Sequence, residues 1–190
     1  IRAFKPEPFY SAELKFRDFQ AGGERMKEKA EAEKLVAECC QAGSAIITKV
    51  EQKEKSEKPP ALFDLTSLQR EANRQLGFTA QQTLDYTQAL YEKKLVTYPR
   101  TDSRYLTDDM APLVPELVSV IQQSFQIQPD APAPVNAAQV VNSKKVTDHH
   151  AIIPTKTAAG YDISSLPSGE QAILTMLAVR LICAVGTPYR

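Results

Sequence analysis

The chain has 190 residues, 43% of them hydrophobic and 24% charged, with 23 basic against 23 acidic side chains and no tryptophan. That length suits one large domain, or one domain with part of another, and no run approaches the roughly 18 apolar residues that a membrane span needs. Charge balances segment by segment, with 12 basic and 11 acidic residues in 1–58, 6 and 5 in 59–107, and 5 and 7 in 108–190; this argues against a duplex binder held by bulk positive charge and leaves room for local phosphate sites.

The opening residues, IRAFKPEPFY, lack the apolar stretch of a signal peptide, and the chain starts with Ile, so it reads as a piece of a longer protein. Tyr10, Ala12, Leu14 and Phe16 alternate with Ser11, Glu13 and Lys15 as in a half-buried strand. A charged helix is expected over 24–41, stopped by Gly43. A second strand is expected over 45–53, with Ile46, Thr48 and Val50 on one side. Two strands do not make an independent sheet, so this part reads as a share of a larger one. Its exposed edges would invite pairing or swapping between copies, and hence a dimer. The polar run EKSEKPP follows as a linker.

Beyond it the pattern is helical. Thr66 with Gln69 reads as a capping box opening a helix that Gly77 ends, and Thr79 with Gln82 as a second box opening a helix through Tyr91. Two helices joined by a tight glycine turn form a helix-turn-helix-like unit. Lys93 and Lys94 suit the negative end of the second helix. Leu95 to Tyr98 reads as a short strand. Residues 107–125 read as a helix with its start blurred by Pro112 and Pro115, and 128–137 as a loop. Ser168 with Gln171 reads as the cap of a last helix, in which Ile173, Leu174, Leu177, Ala178, Leu181, Ile182 and Val185 repeat at helical spacing until Gly186 and Pro188 stop it. The fold class is therefore α+β: a mostly helical domain, 61–190, with a CAP- or winged-helix-like unit, plus an incomplete antiparallel β segment, 1–60. Cys39, Cys40 and Cys183 are odd in number and lack C-x-x-C spacing, which argues against a disulfide framework or a zinc site and suits a reducing, cytosolic setting.

Two polar clusters stand out. In LVTYPRTDSRY, Tyr98, Arg100 and Asp102 fall at alternate positions, so in an extended segment they project from one face, and Pro99 places that segment at an edge or strand end. Arginine grips phosphate through a planar fork, and a phenol attacks phosphorus only once activated. An exposed edge strand with solvated side chains is the bland alternative. In TDHHAIIPT, the chain's two histidines, His149 and His150, are adjacent. Imidazole can donate to a phosphate oxygen or carry a proton near neutrality. A metal site with Asp148, or a plain surface turn, are the rival readings.

The order T-S-L-Q, L-Y-E, T-Y-x-R-[ST]-D and H-x-A-I-x-P, with the tail LAVRLICAVGTPYR, resembles the central part of type IA DNA topoisomerases, over most of the chain. Its Y-P-R and D-H-H-A-I-I-P-T forms are closer to topoisomerase III than to topoisomerase I. The resemblance implies that Tyr98 is a nucleophile forming a 5′-phosphotyrosine bond with single-stranded DNA. It implies that Arg100 holds the scissile phosphate, that His149 bonds it or relays a proton, and that Asp102 orients His149 or Arg100. Ser67, Gln69 and Arg70, near a helix N-terminus, together with Ser103 and His150, would contact the strand; His150 departs from the topoisomerase I pattern. The resemblance also implies an enzyme of the bacterial cytoplasm, associated with the nucleoid, that passes DNA through the break and religates it. Its Mg²⁺ site would lie outside these residues, since the family's D-x-D arrangement is absent here, and the fragment alone would cleave poorly. From another class, a non-catalytic winged-helix DNA-binding module stays open, although AQQTLDYTQALYE carries no Arg or Lys to reach bases. So does an interaction fragment presenting the charged 24–41 helix.

Overall fold

The computed structural model describes residues 5–127 and 134–188. The chain divides into two compact units, 1–53 and 54–190, with the division at the start of the polar run EKSEKPP.

In the first unit, β1 (Glu13–Lys15) pairs antiparallel with β2 (Gln20–Gly22), Leu14 opposite Ala21. Tyr10 and Met26 extend the pairing through reciprocal backbone bonds of 2.8 and 2.7 Å. The expected first strand is thus realised as a hairpin arm, closed by stacking of Phe16 on Phe19 with ring centroids 4.4 Å apart. α1 (Lys29–Ala42) starts later than expected and ends at Gly43, whose φ of 63° is the left-handed stop that glycine adopts without a Cβ penalty. The strand expected over 45–53 does not form. Ile46 and Val50 are 87% and 81% exposed. Among the described residues their alternation finds no neighbouring strand to pair with, and isolated strands are not stable in water.

The second unit is built around α6. α2 (Leu65–Leu76) begins two residues earlier than a Thr66 cap predicts: Asp64 is the N-cap. Its carboxylate accepts from the Ser67 amide at 2.6 Å, while its own amide donates to the Ser67 hydroxyl. Asp caps as well as Thr, and the choice is decided from outside the helix, by a bond from the Leu65 amide to the Thr101 carbonyl at 3.1 Å. Gly77 ends α2 at φ 71°. α3 (Ala80–Glu92) opens on the predicted Thr79–Gln82 box, with both reciprocal bonds present at 2.9 and 3.1 Å. A six-residue 3₁₀ turn, Asp108–Leu113, leads into α4 (Val114–Ser124) with Pro115 in its first turn, where proline is tolerated. α5 (Lys156–Ala159) is a single turn. Of the expected 128–137 loop, 128–133 lie outside the described residues.

α6 (Ser168–Ala184) follows Pro167 as N-cap, so the Ser168–Gln171 box does not form; Gln171 instead reaches back to the Leu166 carbonyl at 2.6 Å. Ile173, Leu174, Leu177, Ala178 and Leu181 are fully buried, as their spacing predicts. They join Leu68 and Ala72 of α2, Leu90 of α3, and Val118 and Ile121 of α4 in one core. Gly169 permits the close approach of α6 to α3: a Cβ there would lie 2.4 Å from the Tyr86 ring. Beside it, Lys93 donates to the largely buried Glu170 at 2.8 Å. The fold is α+β, with a helix-turn-helix unit at α2–α3.

Candidate active site

An extended segment threads the second unit and organises the site. Ala151, Ile152 and Ile153 are at most 2% exposed, because each continues a buried apolar run, AIIP. Their backbone groups find partners on three sides. The Ile152 amide donates to the Phe63 carbonyl, the Ala151 amide to the Tyr105 carbonyl, and the Thr97 amide to the Ile153 carbonyl, all at 2.9–3.0 Å. A buried backbone must satisfy its polar groups, and here doing so draws three distant stretches of chain together. The strand expected over Leu95–Tyr98 survives only as the bridge between Val96 and Pro154.

The polar segment beside it obeys period two. Pro99, Thr101 and Ser103 are buried, whereas Arg100, Asp102 and Arg104 are exposed and Tyr98 is half-buried. The inward-facing hydroxyls are clasps. Thr97 Oγ1 donates to the Ala151 carbonyl and accepts from the Ile153 amide, both at 3.0 Å. Thr101 Oγ1 donates to the His149 carbonyl at 2.7 Å and accepts from the Ser103 amide. Ser103 Oγ lies within 2.9 Å of the Lys145 carbonyl. Together they pin the tyrosine segment to the histidine segment.

The result is a contact between Tyr98 and His149, ring centroids 4.3 Å apart and tilted by 43°. Tyr91, from the last turn of α3, meets Tyr98 edge-on at 5.4 Å and 79°. Arg100 is exposed, and among the described residues it has no hydrogen-bond or ion-pair partner, so its five donors are free for an anion. Asp102 accepts from the Thr147 hydroxyl at 3.2 Å; it bonds neither His149 nor Arg100. His150 Nδ1 lies 2.9 Å from the Ala151 carbonyl. Ser103 is 4% exposed, so its role here is internal. At the α2 N-terminus, Ser67 is spent on the capping box, Gln69 donates to the Ala80 carbonyl at 3.0 Å, and Arg70 is exposed. The bond between Leu65 and Thr101 ties this helix end to the Arg100 segment. A phenol against an imidazole, with an unpaired guanidinium two residues along, is a set suited to phosphoryl transfer.

Three features carry no local sequence signal: the double clasp at Thr97, the edge-on Tyr91, and the stacking of Arg180 over Phe63 at 4.1 Å. Among the described residues, no group of three or more His, Cys, Asp or Glu side chains gathers to hold a metal ion. Nor is any described helix long and apolar enough to cross a membrane.

A family model described as DNA topoisomerase matches residues 1–190, the whole chain; the chain belongs to the DNA topoisomerase family. Its relatives include proteins of the topoisomerase III type. DNA topoisomerase 3 of Shouchella clausii is 37% identical over 201 residues, covering 97% of this chain and 27% of that protein. DNA topoisomerase 3 of Bacillus subtilis is 33% identical with the same coverage. Full-length topoisomerase I from Thermotoga maritima superposes with a TM-score of 0.63 at 25% identity, over 99% of this chain and 31% of that one. The chain is thus a topoisomerase III-like fragment of the type IA kind, spanning about a quarter of the length of those relatives.

Proposed function

We propose that this chain carries the strand-cleaving site of a type IA DNA topoisomerase, with Tyr98 as nucleophile. The observation that carries the reading is the packing of Tyr98 against His149 at 4.3 Å, beside an exposed and unpaired Arg100. The Tyr98 phenolic oxygen attacks the phosphorus of a single-stranded DNA diester. An O–P bond forms to tyrosine, the P–O3′ bond breaks, and the phenolic proton passes to the leaving 3′-oxygen. His149, its ring packed on the phenol, relays that proton or bonds the phosphate. Arg100 neutralises the charge that builds on the phosphoryl oxygens. Religation is the same exchange reversed, one ester for another, so it needs no external energy. Asp102 holds Thr147, and through it the approach to His149. Arg70 and His150 contact the strand, with Ser67 and Gln69 supporting the helix end that faces it. In this reading residues 1–60 belong to a β-rich hinge domain and 61–190 to the tyrosine-bearing domain. The parent protein binds its Mg²⁺ through residues outside these 190. The non-catalytic winged-helix alternative fits less well, since α3 offers no cation along Ala80–Glu92.

The test uses the full-length protein, 3′-labelled single-stranded DNA and Mg²⁺, quenched with detergent. The wild type should carry label covalently and Tyr98→Phe none. Label retained by Tyr98→Phe would assign the chemistry to another residue.

A further inference from the structure

We infer that Tyr91 is a positioning residue for the cleavage reaction, acting through its edge-on contact with Tyr98. The inference rests on Tyr98 being the nucleophile. Tyr91 sits in the last turn of α3, where the residue is 38% exposed, and it lies outside the hydrophobic core that takes in Tyr86 from the same helix. Core packing therefore does not explain an aromatic side chain at this place. What it does contact is Tyr98, at 5.4 Å and 79°, a geometry in which the positive edge of one ring meets the negative face of the other.

The contact is arranged by the backbone between them. α3 is capped by Lys93, whose side chain is anchored on Glu170 of α6. The chain then reverses at Lys94 with φ 62°, a left-handed conformation that a lysine adopts only at a cost. That turn returns the Leu95 amide to the Leu90 carbonyl at 2.9 Å and the Thr155 hydroxyl to the Lys94 carbonyl at 2.6 Å. Tyr98, seven residues after Tyr91, is brought back alongside it. A half-buried tyrosine can otherwise sample three χ1 wells. With His149 tilted against it and Tyr91 edge-on to it, the phenol is confined between two rings. In-line attack on phosphorus depends on that aim, because the reacting atoms must meet within a narrow range of distance and angle. Tyr91 touches the reaction only through Tyr98.

The experiment measures single-turnover cleavage of a fluorescent single-stranded oligonucleotide by the full-length protein, with Tyr98→Phe as the control that defines the adduct. Tyr91→Leu should slow cleavage about 3- to 10-fold, the range expected of an aromatic pair. Oligonucleotide Kd should stay unchanged, and Tyr91→Phe, which keeps the ring, should restore the wild-type rate. In the 190-residue chain, the ring resonances of Tyr98 should shift in Tyr91→Leu and hold in Tyr91→Phe. If Tyr91→Leu folds poorly, Tyr91→Met takes its place. Three results overturn the inference: cleavage by the ring-less variant at the wild-type rate, loss of affinity in step with rate, or unmoved Tyr98 resonances. An adduct that persists in Tyr98→Phe removes the site assignment itself, and is told apart by that control.

Discussion

Replacing Thr97 by valine removes one oxygen and nearly nothing else, yet it should loosen the whole site. The side chain keeps its shape and its β-branching, so the extended backbone is not disturbed. Two hydrogen bonds are lost: the one donated to the Ala151 carbonyl and the one accepted from the Ile153 amide, both 3.0 Å. The Ala151 carbonyl still has the His150 ring nitrogen at 2.9 Å. Among the described residues the Ile153 amide has no second partner, and its residue is 2% exposed, so water does not replace the hydroxyl. A buried donor left unsatisfied costs about 1–3 kcal/mol, and about 2 kcal/mol is expected here. For a chain of this size that is a fall in Tm of about 4–8 °C. Urea denaturation of the 190-residue chain should give a lower midpoint with an unchanged m-value, and Thr97→Ser should recover most of the loss. In the full-length protein the valine variant should also form adduct more slowly, because the same clasp holds Tyr98 beside His149. Stability within about 0.5 kcal/mol of wild type would refute the reasoning, as would a serine variant as unstable as the valine one.

The Lys93–Glu170 pair should respond asymmetrically. Glu170 is 8% and Lys93 37% exposed, so Lys93→Met strands a buried carboxylate while Glu170→Ala leaves an ammonium that water can reach. The lysine change should therefore be the more destabilising in thermal melts, by about 1 kcal/mol or more, and the reverse order would count against a buried ion pair. Glu71 gives a pH-dependent prediction. Hydrogen bonding from Arg74 holds its carboxyl below the ordinary 4.5, against the opposing effect of burial, with Gln75 and the charges of Arg74 and Arg180 adding to the lowering. A depressed folded value means that the stabilisation is complete above the unfolded value and fades as pH falls through the folded one. Glu71→Gln should then be less stable than wild type by up to about 1 kcal/mol at neutral pH. That gap should close in melts taken below the ordinary carboxylate value, and a gap independent of pH would contradict it.

The elements legible in the sequence were those whose cause is local. The Thr79–Gln82 box opens α3 because both of its bonds span three residues. The apolar positions of α6 lie on one buried face because helical spacing puts them there. Gly43 and Gly77 end their helices because both need positive φ. The alternation from Tyr98 to Arg104 exposes Arg100 and Asp102 for the same kind of reason, since an extended backbone turns successive side chains to opposite faces. Where a local pattern needed a distant partner, reading it alone misled. The 45–53 alternation finds no strand to pair with among the described residues, so it forms none. α2 starts at Asp64 rather than Thr66 because the Leu65 amide is claimed by Thr101, a residue 36 positions away.

The site divides along the same line. Sequence alone determined which chemistry was on offer: a phenol, a guanidinium and an imidazole in two motifs, in an order shared with a known family. It could not determine that Tyr98 and His149 touch, or that Asp102 holds Thr147 instead of either of them. Nor could it tell that Tyr91 closes on the phenol from the end of a helix. Those facts depend on the buried AIIP segment. Its backbone amides and carbonyls cannot be left without partners in the core, and satisfying them brings residues some fifty positions apart into one site.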